Sequence, residues 1–236
     1  MSARRQEMLK ELGLMPLWRH RENEQISSIV KVSNLSVTEK DDRRFRILHS
    51  DWAQLKVNVA SCTSCSLCQD RTKTVFGVGD EDANWMCVGE APGLEEDIRG
   101  EPFIGPAGKL LDNMLEAISL KRGKNIYIAN IVKCRPPGNR NPDYSEVQQC
   151  EPFLARQIEL IKPKLIIALG KVAAQNLLNT NATIASLRGK LHEYSGIPLI
   201  VTYHPAYLLR IQPDKAKVWK DLCFAKNIMQ KLVKNF

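Results

Sequence analysis

The stretch that decides the fold runs Trp85-Met-Cys-Val-Gly-Glu-Ala-Pro-Gly-Leu-Glu-Glu-Asp-Ile-Arg-Gly-Glu-Pro-Phe-Ile-Gly-Pro-Ala-Gly-Lys-Leu-Leu-Asp112. Trp85–Val88 is a short apolar run of the kind buried on both faces of a parallel sheet. The far end opens an amphipathic helix, with Leu110, Leu111, Met114, Leu115 and Ile118 at helical spacing. In between, residues 89–111 hold five glycines, three prolines and five carboxylates. Glycine and proline fix backbone paths that ordinary residues do not follow. A long, stiff, acidic loop at the C-terminal end of a strand is a usual place for a ligand pocket in α/β proteins. The plain alternative is a strand-to-helix connection with incidental charge.

The same alternation continues outward. Apolar strands are expected at Trp85–Val88, Ile126–Val132, Leu165–Leu169 and Leu199–Thr202, and helices at Lys109–Ser119, Ser145–Ile161, Lys171–Asn179 and Lys215–Val233. Asp143 followed by Glu146 reads as a capping box at the second of these helices. Short apolar strands separated by helices imply a three-layer α/β/α sandwich around a short, mainly parallel sheet. Right-handed crossovers then gather the loops starting at Gly89, Cys134, Gly170 and His204 on one sheet edge. A short helix is expected from about Ser50 to Ala60. Residues 1–44 read as an N-terminal arm and linker, helical around Met8, Leu9, Leu12 and Leu14 and polar from Glu22 to Arg44, with the domain itself at residues 45–236.

Composition narrows the function classes. No run approaches the roughly 18 apolar residues of a membrane span, and no signal-peptide core is present, so a cytoplasmic protein without a membrane role is expected. Lys and Arg number 34 against 26 Asp and Glu, a net charge of +8 that favours a polyanionic partner such as DNA or RNA. An odd count of seven cysteines speaks for thiols or metal ligands rather than a disulfide framework. Cys62-Thr-Ser-Cys65, then Cys134 and Cys150, supply four thiolates, enough for a [4Fe-4S] cluster or, alternatively, a tetrahedral zinc. Cys65-Ser-Leu-Cys68 offers a competing pair. Cys87 and Cys223 sit in apolar patterns and read as small buried hydrophobes.

Together these stretches make the chain resemble the family 4 uracil-DNA glycosylases, the iron–sulfur type of bacteria and archaea. The likeness extends from Cys62 to Lys226. It rests on Cys-x-x-Cys-x-Leu (Cys62 to Leu67), Gly-Glu-Ala-Pro-Gly (Gly89 to Gly93) and Pro-Phe-Ile-Gly-Pro-Ala-Gly (Pro102 to Gly108). It continues through Asn-Ile-Val-Lys-Cys-Arg-Pro-Pro (Asn130 to Pro137), Asn-Arg-Asn-Pro (Asn139 to Pro142), Leu-Arg-Gly (Leu187 to Gly189) and His-Pro-Ala-Tyr-Leu-Leu-Arg (His204 to Arg210). The resemblance implies a structural [4Fe-4S] cluster on Cys62, Cys65, Cys134 and Cys150, leaving Cys68 outside the ligand set. Family 5 relatives lack the acid that Glu90 supplies. Covalently trapping relatives carry Gln at the position of Ala91 and a basic, His-containing insertion where this chain reads Gly138 to Pro142. Neither departure is present, so ordinary turnover is expected.

The resemblance further implies a reaction and its residues. Uracil would be everted from uracil-containing DNA, single- or double-stranded, and its N-glycosidic bond hydrolysed to leave an abasic site. Asn130 would read the pyrimidine edge, Phe103 stack on the ring, and Glu96 wall off a C5 methyl, while Glu95 and Asp97 read as solvated loop acids. His204 would donate to O2 of the departing anion, with backbone N–H groups near Ala91 assisting. Glu90 is the candidate for handling water or orienting Asn139. Leu208, with Tyr207 second, is expected to wedge into the gap left by the base. Arg210, Arg188, Lys190, Lys133, Arg135 and Arg140 are candidate phosphate contacts.

A monomer is expected, with residues 1–44 available to a replication or repair protein. Two rival readings keep the fold and change the function. One is a non-catalytic, cluster-bearing nucleic-acid-binding protein. The other has Gly89–Gly93 cradling a phosphate, which the crowding acids and the missing Walker lysine oppose.

Overall fold

A computed structural model describes residues 42–234, together with the isolated positions Glu7 and Glu11. The expected helix around Met8–Leu14 and most of the expected linker lie outside the described residues. The chain divides into two units, residues 1–43 and residues 44–236, and the second carries the sheet and its helices. Among the described residues no helix is long and apolar enough to cross a membrane.

The elements are α1 (Trp52–Ala60), β1 (Val78–Gly79), β2 (Trp85–Gly89), α2 (Leu94–Arg99), α3 (Pro106–Ala117), β3 (Ile126–Asn130), α4 (Tyr144–Ile161), β4 (Leu165–Leu169), α5 (Lys171–Leu177), α6 (Ile184–Leu187), β5 (Leu191–Tyr194), β6 (Ile197–Thr202), α7 (Pro205–Arg210) and α8 (Lys215–Lys234). The strands form one six-stranded sheet in the order β1-β3-β2-β4-β6-β5. β3, β2, β4 and β6 run parallel, and β1 and β5 pair antiparallel at the two edges.

Alternation along the strands builds the layers. Met86, Val88, Tyr127, Ala129, Ile166, Ala168, Leu199 and Val201 face one core, shared with residues of α1, α4 and α5. Trp85, Cys87, Ile126, Ile128, Leu165, Ile167 and Ile200 face the other, beneath α3, α7 and α8. The sheet is therefore covered on both faces, which is why its central strands are apolar throughout. The architecture is the expected α/β/α sandwich.

Three features depart from the sequence reading. The edge strands β1 and β5 were not among the expected elements: β1 has two residues, and β5 has the mixed pattern of a half-covered edge. β3 ends at Asn130 rather than Val132, because Ile131 and Val132 donate to Gly89 and Glu90 carbonyls beyond the regular ladder. The acidic stretch is not all loop. Leu94–Arg99 is helical, started by Glu96 accepting from the Gly93 N–H at 3.1 Å and stopped by Gly100 at φ 86°.

Candidate active site and cysteine cavity

The parallel strands place their C-terminal ends on one edge, and the chain's unusual residues collect there. Gly89 and Asn130 are register partners at the ends of β2 and β3. A Cβ on Gly89 would stand 2.5 Å from both Asn130 Oδ1 and Phe103 Cζ. Only glycine lets the ring and the amide approach this closely. At the end of β4, a Cβ on Gly170 would meet His204 Cβ at 2.8 Å. The Phe103 and His204 rings lie 5.5 Å apart, centroid to centroid, tilted by 31°. Phe103, Asn130 and His204 are thus brought together from three strand ends.

Each is held in a particular state. Asn130 is buried, and its Oδ1 is a buried acceptor without a hydrogen-bond partner among the described residues. Leaving such an atom unsatisfied costs about 1–3 kcal/mol, so it marks a place where a donor is missing. His204 Nδ1 accepts from the Ala206 N–H at 3.2 Å, which leaves the ring proton on Nε2. Burial, reinforced by the Arg210 charge, pulls the imidazole down to about 4, so near neutrality it is an uncharged N–H donor. Glu90 is half-buried, and its carboxylate has no hydrogen-bond partner among the described residues. Burial alone raises its carboxyl above the ordinary range.

Phe103 sits at φ 55°, a conformation that side chains seldom adopt, and several contacts enforce it. Arg122 donates to the Pro102 carbonyl at 2.9 Å and to the Phe103 carbonyl at 2.7 Å while pairing with Asp112. Glu96 accepts from the N–H groups of Ile104 and Gly105 at 3.0 and 3.1 Å. Gly108 leaves room for the Phe103 carbonyl, which a Cβ would overlap at 1.8 Å. The Glu96 carboxylate, expected as a wall against C5, is thus committed to backbone N–H groups. Asp97, read as a solvated acid, is buried and accepts from the Thr72 and Lys73 N–H groups. Arg122 carried no motif, and only its long-range partners reveal it.

The residues expected to face DNA divide. Leu208 is 1% exposed and belongs to the core under α7, so it is not available as a wedge; its neighbour Leu209 is 43% exposed. Tyr207 stacks on Tyr203 at 4.9 Å and donates to Asp214. Lys133 is 1% exposed and donates inward, so it is no phosphate contact. Arg188 packs over Tyr203 and pairs with Asp221, which also accepts from Thr202 at the end of β6. Arg140 pairs with Glu146 and Asp143 at the start of α4. Asn139, expected beside Glu90, is exposed, and its Oδ1 accepts from Arg135 at 2.7 Å. Lys190 and Arg210 are exposed and in no ion pair among the described residues. Ala91 is partly buried against the core on the α4 side of the sheet.

On the other side of the β3 turn, Cys62, Cys65, Cys68, Cys134 and Cys150 line one cavity with Val59, Leu67, Val132 and Phe153 as apolar walls. Arg71 donates to Cys134 Sγ at 3.1 Å, and the Lys133 backbone N–H donates to Cys150 Sγ at 3.2 Å. Burial pushes the Cys150 thiol up to about 12 and raises those of Cys65 and Cys134. Convergent thiols, N–H groups aimed at sulfur and dry walls fit a thiolate-ligated centre. Among the described residues no three His, Cys, Asp or Glu side chains stand close enough to hold a single metal ion.

The chain matches the family model described as "Uracil DNA glycosylase superfamily" over residues 76–223. It is 45% identical over 159 residues to a protein of Archaeoglobus fulgidus named type-4 uracil-DNA glycosylase, covering 64% of this chain and 79% of that one. A type-4 uracil-DNA glycosylase of Sulfurisphaera tokodaii is 41% identical over 71% of this chain and 80% of its own length. One from Thermotoga maritima is 41% identical over 73% of this chain and 92% of its own.

Proposed function

Because this chain belongs to the uracil-DNA glycosylase superfamily, we propose that it is a monofunctional enzyme of DNA base-excision repair that releases free uracil and leaves an abasic site. The observation that carries this reading is the buried, unpartnered Asn130 Oδ1 beside the Phe103 ring and a neutral His204. Uracil offers N3–H to that acceptor and O4 to the amide N–H₂. Cytosine reverses both, leaving buried polar groups unpaired, the kind of mismatch that gives strong discrimination.

The chemistry follows from charge. Bond cleavage puts cationic character on the sugar and negative charge on uracil, so a donor at O2 favours the transition state over the ground state. His204 Nε2–H is such a donor. A neutral imidazole cannot release its proton readily to the leaving group, so its role is to stabilise an anion. Glu90, with its raised carboxyl, receives the proton of the attacking water. Glu96 and Arg122 act through Phe103, fixing the stacking ring. Leu209 replaces Leu208 as the residue presented to the gap left by the base, and Lys190 and Arg210 contact phosphate.

Cys62, Cys65, Cys134 and Cys150 would hold a [4Fe-4S] cluster with a structural role, tying the Cys62–Cys68 segment to β3 and α4. A single Cys-x-x-Cys pair followed by two widely spaced cysteines suits a cubane cluster better than zinc, whose structural sites usually carry two such pairs. The protein acts as a cytoplasmic monomer, with residues 1–44 left for a protein partner.

The test is incubation of anaerobically purified protein with oligonucleotides containing uracil, thymine or cytosine. Uracil release far above any release of thymine or cytosine is expected, and it is lost in N130A and H204A with DNA binding retained. Binding without release in the wild type would overturn the proposal.

A further inference from the structure

The residue between Val132 and Cys134 has two jobs that no motif assigns. Lys133 is 1% exposed, yet its Nζ donates to the Asn130 carbonyl at 2.9 Å and to Gln157 Oε1 at 2.6 Å. Its backbone N–H donates to Cys150 Sγ at 3.2 Å. Gln157 is itself fully buried and donates to the Phe76 carbonyl at 2.9 Å and to Tyr127 Oη at 3.3 Å. Cys150 and Gln157 lie on one face of α4, two turns apart. One side chain therefore ties the strand end carrying Asn130 to the helix carrying a cysteine of the cavity.

A buried lysine is rare, and burying its charge is costly unless acceptors are placed for it. Two neutral acceptors are placed here, one of them the backbone of Asn130, the residue proposed to read the pyrimidine. The turn 130–133 is otherwise held to the end of β2 by Ile131 and Val132 donating to the Gly89 and Glu90 carbonyls. Without the ammonium, the Asn130 carbonyl and Gln157 Oε1 lose a shared donor, and the peptide after Asn130 is free to rotate. Displacements of about 1 Å at a recognition group cost on the order of 100-fold in rate.

We propose that Lys133 is a positioning residue that couples the cysteine cavity to the pyrimidine-reading Asn130, so that selectivity for uracil depends on how α4 is anchored. This rests on the glycosylase reading, and wild-type uracil release checks that reading separately.

The experiment compares wild type, K133M and Q157M, purified anaerobically, for iron and sulfide per chain, for kcat and KM on a uracil oligonucleotide, and for the ratio of uracil to cytosine release. K133M is expected to keep its iron and sulfide and to lose about 10- to 100-fold in kcat. Its KM should change less than threefold, and its uracil-to-cytosine ratio should fall. Q157M is expected to shift the same quantities in the same direction by a smaller factor. Wild-type kcat and selectivity in K133M would overturn the proposal. So would a kcat that falls only in proportion to lost iron, since that is a role in retaining the centre. If K133M does not fold, Q157M decides: full iron with lowered kcat and ratio upholds the coupling, and unchanged values refute it.

Discussion

Two neighbouring leucines show how much a single position matters. Leu208 fills the core and Leu209 faces outward. L208A should lower stability by about 2–5 kcal/mol through the cavity it leaves, measured by urea unfolding. L209A should leave the midpoint unchanged and slow uracil excision from duplex more than from single strands, because only the duplex has a stack to hold open. The titrating pair makes a second prediction. In the proposed role Glu90 takes a proton only when ionised, and its carboxyl is raised by burial, so kcat should fall on the acidic side above the ordinary carboxylate range. E90Q should lose about 10²–10⁴-fold in kcat and lose that acidic limb as well. His204 keeps its neutral form down to about 4 and adds no limb near neutrality. Its linkage has a definite sign: an unfolded imidazole protonates near 6.5 and the folded one near 4, so stability falls as pH drops through that window.

At the scale of elements, the Phe103 loop is a strained conformer held from two sides, by Glu96 at the start of α2 and by Arg122 after α3. R122M should free the Pro102 and Phe103 carbonyls and lower kcat by about 10-fold or more, with a small shift in Tm, because positioning rather than bulk packing is lost. G108A should be harsher, since its Cβ overlaps the Phe103 carbonyl. The β6–α7 connection is held in the same manner. Arg188, Asp221 and Thr202 form a buried ion-pair and hydrogen-bond chain under the strand end that precedes His204. Arg188 is therefore a strut where a phosphate contact was expected.

At the scale of the whole molecule, the cysteine cavity is the joint between the Cys62–Cys68 segment, the β3 turn and α4. Removing the iron of the proposed cluster by oxidation and chelation should lower Tm by on the order of 10 °C, taking a staple as worth a few kcal/mol. C150S should lose iron, whereas C68S should retain it, as measured by iron and sulfide per chain. Electrostatics over the surface gives the last prediction. The net charge is +8, and Lys190 and Arg210 are exposed cations in no ion pair among the described residues. Replacing either with Ala should weaken DNA binding and reduce the slope of log Kd against log salt by about one. R188A should instead lower stability.

Much of the fold and site was legible from one dimension. Strand, glycine loop and helix follow one another with periods that differ, so the α/β alternation, the four central strands and the strand-end position of Gly170 and His204 needed no third dimension, whereas the end of β3 at Asn130 did. Cysteine spacing likewise nominated the thiols, because ligand sets leave their mark on order along the chain. Tertiary structure alone decided which way short or polar elements face. α7 has six residues, fewer than two turns, so its periodicity cannot separate Leu208 from Leu209; only the packing beneath it does. Lys133, Asp97, Arg122 and Arg188 all look like surface charges until partners 10 to 33 residues away satisfy them. A charge is buried or solvated according to what surrounds it in space, and that is information a local sequence window does not contain.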